Sequence, residues 1–323
     1  MRNRKLGRTN YEVSEIGFGA WGIGGKQWLG GDDAQSVAAL EKAIALGVNF
    51  IDTALAYGDG HSEKLVERVA KGTKKKVFIA TKVPPKNRLW PARPLIGIEE
   101  VFPLDHIVEC TEQSLKNLGV DAIDLQQLHV WNADWLAREE WRRAFEDLKK
   151  SGKVKAVGVS ANAHQPDSVL ELISTGLIDS VQVIYNIFDQ TPENHLFAVA
   201  QKHNAGVIAR VPFDEGSLTG QITENTKFEK GDFRDLYFRG DRKKDVATRV
   251  GALVKDLGSK NGPLAETALR FCLSNPAVST VIPGMRNLRN VEANCAVSEK
   301  GPLAADTLRK LRNHTWQKNF YGA

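Results

Sequence analysis

The apolar residues of the chain form two kinds of segment that alternate along its length. Short apolar runs, typical of buried strands, occupy residues 16–21, 50–51, 77–82, 123–128, 154–159, 181–185, 206–211 and 278–282. Segments with the three-to-four-residue spacing of an amphipathic helix occupy residues 33–46, 62–70, 104–118, 138–150, 168–175, 193–203, 241–257, 263–273, 288–296 and 303–318. The pattern therefore predicts strands and helices in regular alternation.

This alternation indicates an α/β fold. Strands that are apolar on both faces form parallel sheets covered by helices, and eight strand–helix repeats predict a closed (β/α)8 TIM barrel. Residues 5–13 predict a short N-terminal β-hairpin, and the last segments predict extra C-terminal helices. No linker divides residues 1–323, so we expect a single domain; a doubly wound open sheet is the alternative fold.

Residues 17–22 match the G-x-G-x-x-G sequence of dinucleotide-binding loops. That loop works because a helix opens inside the motif and points its N-terminus at the pyrophosphate. Here further glycines follow, and no helix is predicted before Asp32. We therefore interpret the stretch as the end of a strand at which the backbone approaches another group closely.

Composition narrows the classes of function. The 44 Lys and Arg residues are interspersed with 39 Asp and Glu residues, giving a net charge of +5 and no basic stripe for nucleic acid. No apolar run is long enough to cross a membrane. The three cysteines are far apart, which fits a reducing compartment and offers no metal-binding pair. We expect a cytoplasmic protein that needs no metal and binds neither nucleic acid nor membrane.

Candidate chemistry lies where three neighbouring strands end. Asp52 follows the second strand with Tyr57 just beyond it, Lys82 ends the third strand, and His129 ends the fourth. The carboxyl ends of barrel strands meet at one face, where active sites lie. We expect these four side chains to converge there.

The four side chains would make an acid–base system. A tyrosine has a reference pKa of ~10, and we expect the Lys82 ammonium to lower that pKa by favouring the phenolate. Asp52 would keep the lysine charged, and His129 could hydrogen-bond an oxygen that gains charge. Taken singly, each residue also has an ordinary structural explanation, and Lys82 could instead be a Schiff-base nucleophile of a lyase.

Several motifs together resemble those of the aldo-keto reductase family over essentially the whole chain. The matching segments are Lys5-Leu6-Gly7-Arg8-Thr9, Asp52-Thr53-Ala54 with Tyr57-Gly58 and Ser62-Glu63, Ala80-Thr81-Lys82, Ile123-Asp124-Leu125 with His129, Gly158-Val159-Ser160, Gln182-Val183-Ile184-Tyr185-Asn186 and Ile282-Pro283-Gly284. The resemblance implies NADP(H)-linked reduction of aldehydes, ketones or sugars, or the reverse oxidation. It makes Tyr57 the proton donor, Asp52 and Lys82 its tuning groups, and His129 the group that orients the carbonyl.

The resemblance also implies a set of cofactor contacts. They are Trp21, Asp52, Ser160, Asn162, Gln182, Arg210, Pro212, Phe213, Ser217, Leu218, Gly220, Arg234, Gly284, Met285, Arg286, Asn290 and Asn294. Arg286 would pair with the 2′-phosphate, which favours NADP(H) over NAD(H). Two positions depart from the family pattern: Ala161 separates Ser160 from Asn162, and Arg210 stands where an aromatic residue often stacks on the nicotinamide.

A wall of aromatic residues is predicted for the substrate, formed by Trp21, Trp90 and Trp131, with Trp28 and Tyr237 as further candidates. The substrate would be a small carbonyl or alcohol compound. A second function stays open, since potassium-channel β subunits share this fold and these four residues and act mainly through a partner.

Overall fold

A small antiparallel hairpin opens the chain and lies against one end of the sheet. In the computed structural model, which describes residues 1–258, 262–316 and 318–321, strand β1 (Asn3–Lys5) pairs with β2 (Glu12–Ser14). The connection contains a 3-10 turn at Gly7–Thr9. Gly7 has φ +50°, and a Cβ there would lie 2.2 Å from the Gly206 amide nitrogen. Only glycine lets the turn approach the barrel this closely.

Eight parallel strands follow in the order in which they occur along the chain. They are β3 (Phe18–Gly19), β4 (Phe50–Asp52), β5 (Phe78–Val83), β6 (Ile123–Leu128), β7 (Val154–Ser160), β8 (Ser180–Ile184), β9 (Gly206–Arg210) and β10 (Thr280–Val281). Parallel bridges from Ile16 to Val281 and from Gly19 to Gly284 join the first strand to the last. The predicted barrel is confirmed, although its first and last strands are shorter than predicted.

Helices connect and cover the strands. They are α1 (Asp33–Ala45), α2 (His61–Gly72), α3 (Ile98–Val101), α4 (Leu104–Leu118), α5 (Glu140–Lys150), α6 (Leu170–Thr175), α7 (Leu196–Lys202), α8 (Phe233–Tyr237), α9 (Arg242–Leu257), α10 (Leu264–Ser274), α11 (Leu288–Lys300) and α12 (Ala305–Arg312). Helix α1 begins where Asp32 accepts a hydrogen bond from the Gln35 amide. Within the described residues, no helix is both long and apolar enough to span a bilayer.

Three segments differ from the predicted pattern. Helices α3 and α8 lie in residues 83–103 and 212–240, for which the sequence predicts neither a strand nor a helix. The predicted terminal helix over residues 303–318 is only α12, and residue 317 lies outside the described residues. Beyond α12, the Trp316 amide donates to the Phe188 carbonyl oxygen at 2.9 Å, which is a tertiary contact and not a helical one.

The hairpin fills the end of the barrel opposite the carboxyl ends of the strands. Leu6 and Val13 are fully buried and form one cluster with side chains that point into the barrel: Phe50, Phe78, Ala80, Leu125, Ala156, Ile208 and Ile282. The hairpin therefore closes the bottom of the barrel, and the opposite face remains for the site.

Replacing Leu6 by Ala should lower the free energy of unfolding by about 2–4 kcal/mol, because the change opens a cavity where the hairpin packs into the barrel. Leu95→Ala is the matched control, since Leu95 is 97% exposed; it should change stability by no more than about 0.5 kcal/mol. Urea unfolding followed by circular dichroism measures both. Equal stability of the two variants would contradict the role of the hairpin.

Candidate active site

The ends of β4 and β5 bring three of the predicted side chains into contact. The Lys82 ammonium lies 2.6 Å from an Asp52 carboxylate oxygen and 3.4 Å from the Tyr57 hydroxyl. Neighbouring parallel strands pair Asp52 with Ala80, so Lys82 sits one pleat further along and on the same face. Lysine therefore links the carboxylate to the phenol.

The Asp52–Lys82 pair is buried, and each partner has further hydrogen bonds. Gln182 donates to the other Asp52 oxygen at 2.7 Å, Gln127 donates to it at 3.4 Å, and Lys82 donates to the Thr53 carbonyl oxygen at 2.8 Å. A buried ion pair needs such partners because water does not solvate it. Gln127 was not predicted, although a glutamine inside an apolar strand was a visible signal.

The turn that carries Tyr57 depends on a glycine. Gly58 has φ +66°, and a Cβ there would lie 2.0 Å from the Gly24 carbonyl oxygen. Any larger residue would push the two loops apart. The Gly58 backbone therefore fixes where the phenol stands relative to Lys82.

The pKa directions correct one expectation from the sequence. Burial raises the pKa of Tyr57 above its usual value, and the lowering effect of the Lys82 charge does not outweigh that of burial. Burial alone would lower the pKa of Lys82, but the nearby Asp52 carboxylate raises it overall. Near neutral pH, tyrosine is therefore a neutral phenol and lysine is charged.

His129 completes the group. Its ring lies edge-on to Tyr57, with centroids 5.7 Å apart, and edge-on to Trp90 at 5.8 Å. Burial, together with the charges of Lys82 and Arg210, lowers the pKa of His129 well below its usual value. The imidazole is therefore neutral, and its buried Nδ1 has no hydrogen-bond partner among the described residues.

A pocket of about 1060 Å³ opens above these residues. Most of the predicted site residues line it: Trp21, Asp52, Tyr57, His129, Ser160, Asn162, Gln182, Arg210, Pro212, Phe213, Arg234, Gly284, Met285, Arg286, Asn290 and Asn294, together with Trp28 and Trp90. The wall also contains Glu215 and Tyr321, which the sequence did not indicate. These two residues come from distant parts of the chain.

Several predicted residues lie elsewhere. Trp131 is fully buried and packs edge-on against Trp135 and Trp141, with centroids 5.9 and 5.2 Å away, so it belongs to the core and not to the substrate wall. Its indole packs against helix α5, which provides Trp141. Tyr237 is also buried away from the pocket wall.

Three residues of the loop after β9 (residues 212–220, hereafter the β9 loop) also do not line the pocket. Leu218 and Ser217 are fully buried beneath the loop surface, and Gly220 lies at its end with φ +74°. The buried Ser217 hydroxyl has no hydrogen-bond partner among the described residues. The buried apolar side chain of Leu218 anchors the loop to the core. For the Ser217 hydroxyl, burial without a hydrogen-bond partner is unusual.

The two departures from the family pattern have visible consequences. The Asn162 side chain makes hydrogen bonds of 3.1 Å with both the amide nitrogen and the carbonyl oxygen of Ala92, and a third at 3.0 Å with Gln165. Asn162 therefore ties the 84–102 loop to the barrel. Arg210 donates to the Ala161 carbonyl oxygen at 3.1 Å, while its Nε has no partner among the described residues.

One side of the mouth is built from two arginines and the segment after β3. Arg234 is paired with Asp232 at 2.7 Å and lies over the Trp28 ring, 4.4 Å from its centroid. Asp232 accepts a hydrogen bond from the Leu29 amide, and Arg286 donates to the Leu29 carbonyl oxygen at 2.8 Å. These contacts place two guanidinium groups at the same rim.

The model of the Aldo/keto reductase family matches residues 15–315 of this chain. The chain belongs to the aldo-keto reductase family. The aldo-keto reductase YhdN of Bacillus subtilis is 31% identical to it over 91% of this chain and 87% of the relative. The fold and family predicted from the sequence are thereby confirmed.

Two solved aldo-keto reductase structures are similar over nearly their whole length. The holo form of AKR11C1 from Bacillus halodurans is 27% identical, with a TM-score of 0.78 over 100% of this chain and 99% of that one. The glycerol dehydrogenase AKR11B4 from Gluconobacter oxydans is 28% identical, with a TM-score of 0.78 over 97% and 94%. This aldo-keto reductase is therefore an oxidoreductase that uses a nicotinamide cofactor and acts on small carbonyl compounds.

Asp52→Asn should lower the free energy of unfolding of this reductase by about 3 kcal/mol, because it leaves the buried Lys82 without its counter-charge. The double variant that also carries Lys82→Met should lose less free energy of unfolding than the two single variants lose together, by at least about 1 kcal/mol. Chemical denaturation of the native protein, the two single variants and the double variant measures this coupling energy.

The control pair is Lys26–Asp59, an ion pair at the mouth of the same pocket whose side chains are 66% and 61% exposed. Asp59→Asn should lower the free energy of unfolding by less than about 1 kcal/mol, because water replaces the lost partner of Lys26. Strict additivity of Asp52→Asn and Lys82→Met would show that the buried pair does not act as a unit.

Proposed function

We propose that this protein is an NADP(H)-dependent reductase of aldehydes, ketones or sugars in which Tyr57 gives the proton to the carbonyl oxygen. The observation that carries the proposal is the contact of the Lys82 ammonium with both Asp52 and Tyr57 at the floor of the pocket. A phenol beside a fixed, charged ammonium is a proton donor whose anion is stabilised as it forms.

Each residue then has a defined task. Tyr57 is neutral before the reaction because burial raises its pKa, so its proton is available. Lys82 stabilises the phenolate, and Asp52 keeps Lys82 charged and in place. His129 is neutral and can donate a hydrogen bond that orients the carbonyl oxygen between itself and Tyr57. A bound nicotinamide supplies the hydride.

Unpaired polar atoms of the pocket region support a dinucleotide as the cofactor. Arg210 and Asn294 line the pocket, and the Arg210 Nε and the Asn294 amide nitrogen are buried without partners among the described residues. Ligands commonly satisfy such groups. Ser160 and Gln182 would hold the carboxamide, and the β9 loop would hold the pyrophosphate. Arg234 and Arg286 offer charge for phosphates, which is the reason for proposing NADP(H).

The other two functions are less well supported. A Schiff-base lyase needs a neutral amine, whereas Asp52 raises the pKa of Lys82 and the ammonium is fully buried. The relatives reported above are named as reductases and a dehydrogenase, which supports an enzyme over a purely regulatory subunit. We also propose a cytoplasmic location, supported by three buried cysteines that form no disulfide.

Tyr57→Phe should lower kcat for carbonyl reduction by at least about a thousandfold, because it removes the hydroxyl that lies beside the Lys82 ammonium. The Kd for NADPH should stay within about threefold, since only one oxygen atom is removed. Stopped-flow and steady-state assays against a panel of aldehydes, ketones and sugars measure the loss. Tyr11→Phe, at the other end of the barrel, is the control and should keep full activity; an active Tyr57→Phe variant would refute the proton-donor role.

Arg286→Ala should raise the Kd for NADPH by at least about tenfold, the cost of a lost charge-assisted hydrogen bond. The Kd for NADH, which has no 2′-phosphate, should change by less than about twofold. Fluorescence titration with both cofactors gives the comparison, and Arg309→Ala on α12 controls for net charge. An equal loss of affinity for both cofactors would argue against a 2′-phosphate contact.

A further inference from the structure

Two adjacent carboxylates lie buried in the β9 loop. Asp214 is 2% exposed and Glu215 is 7% exposed, and both have left-handed backbone conformations with φ of 49° and 56°. Residues other than glycine rarely adopt this conformation, and consecutive ones persist only where their surroundings hold them. Groups outside the loop must therefore satisfy both carboxyl groups and hold the backbone.

Residues 318–321, near the end of the chain, supply a partner to each carboxylate, and the Tyr237 hydroxyl also donates to Asp214 at 3.4 Å. Lys318 lies 2.5 Å from an Asp214 oxygen, with both side chains at most 4% exposed, and the Tyr321 hydroxyl donates to Glu215. These contacts span more than a hundred residues of sequence. One segment therefore supplies a donor to each of the two carboxylates.

The 318–321 segment is itself fixed on the body of the protein. Arg242 donates to the Phe320 carbonyl oxygen at 3.1 Å and stacks on the Phe320 ring. The Tyr321 ring packs against Tyr237 and Phe233, with centroids 5.1 and 6.1 Å away. The segment thus holds the β9 loop against helices α8 and α9.

The held loop forms part of the pocket wall. Phe213, Glu215 and Gly216 of the loop line the pocket, and so does Tyr321. The loop also buries the unpaired Ser217 hydroxyl. The shape of this wall therefore depends on whether the two carboxylates keep their partners.

We propose that Tyr321 and Lys318 are positioning residues for the dinucleotide, because they hold the β9 loop in the conformation that receives it. The inference rests on the proposed function, since it takes the β9 loop as the pyrophosphate site. Without the Tyr321 hydroxyl, the Glu215 carboxylate loses its donor, and the strained backbone of residues 214–215 loses the contact that compensates for the strain. The loop then relaxes away from the bound conformation, and cofactor binding must bear the cost of restoring it.

Tyr321→Phe tests this directly, because it deletes one oxygen and keeps the ring. The Kd for NADPH, from quenching of tryptophan fluorescence, should rise about tenfold, and the KM for NADPH should rise with it. The kcat at saturating NADPH should stay within about twofold, since the Asp52–Tyr57–Lys82 contacts are untouched. Lys318→Met should also raise the Kd, whereas Lys318→Arg, which keeps the cation, should stay within about threefold of the native protein.

Tyr185→Phe is the matched control. The buried Tyr185 hydroxyl donates to Glu193 at 2.6 Å, so this change also deletes a tyrosine–glutamate hydrogen bond, but the two residues do not line the pocket. Both variants should lose stability in urea unfolding, and only Tyr321→Phe should lose cofactor affinity. A Kd within twofold of native for Tyr321→Phe would overturn the inference.

The same titrations separate this inference from the proposed function. Native protein that binds NADPH and reduces carbonyls, with a Tyr321→Phe variant of equal affinity, would overturn only the positioning role. Native protein that binds neither NADPH nor NADH would overturn both. If Lys318→Met fails to fold, Tyr321→Phe still decides the outcome, because its ring packing is unchanged.

Discussion

The buried ion pair between Asp52 and Lys82 is the contact on which the rest of the site depends. Two charges in a protein interior cost free energy unless each finds the other and further hydrogen bonds. Here Gln127 of β6, Gln182 of β8 and the Thr53 carbonyl oxygen at the end of β4 supply those hydrogen bonds. Closure of the barrel brings these strands together, so the fold and the charged centre support each other.

Under the proposed function, this arrangement explains how one side chain can serve as both a stable phenol and a proton donor. Burial keeps Tyr57 protonated, and the adjacent ammonium lowers the cost of the anion once the proton leaves. Burial alone would make the phenolate too unstable, and an exposed lysine would be screened by water. The role proposed for Lys82 therefore requires that Asp52 keep it charged at a depth where a free amine would be neutral.

Contacts between residues far apart in the sequence hold both ends of the barrel, but the two ends use different kinds of contact. The hairpin fills the bottom with apolar side chains, which is a matter of packing. At the mouth, polar contacts tie loops to one another: Asn162 to the 84–102 loop, Asp232 to the segment after β3, and residues 318–321 to the β9 loop. Loops cannot bury much apolar surface, so hydrogen bonds and ion pairs set their positions.

The sequence by itself determined the order of strands and helices, because the spacing of apolar residues is local and strong. It also determined where Asp52, Tyr57, Lys82 and His129 would meet, since side chains at the ends of parallel barrel strands share one face. Only the tertiary structure decided that Trp131 belongs to the core, that Gln127 bonds to Asp52, and that the pKa of Tyr57 rises. It alone also brought Tyr321 to Glu215. These outcomes depend on burial and on contacts between distant residues, which no local pattern contains.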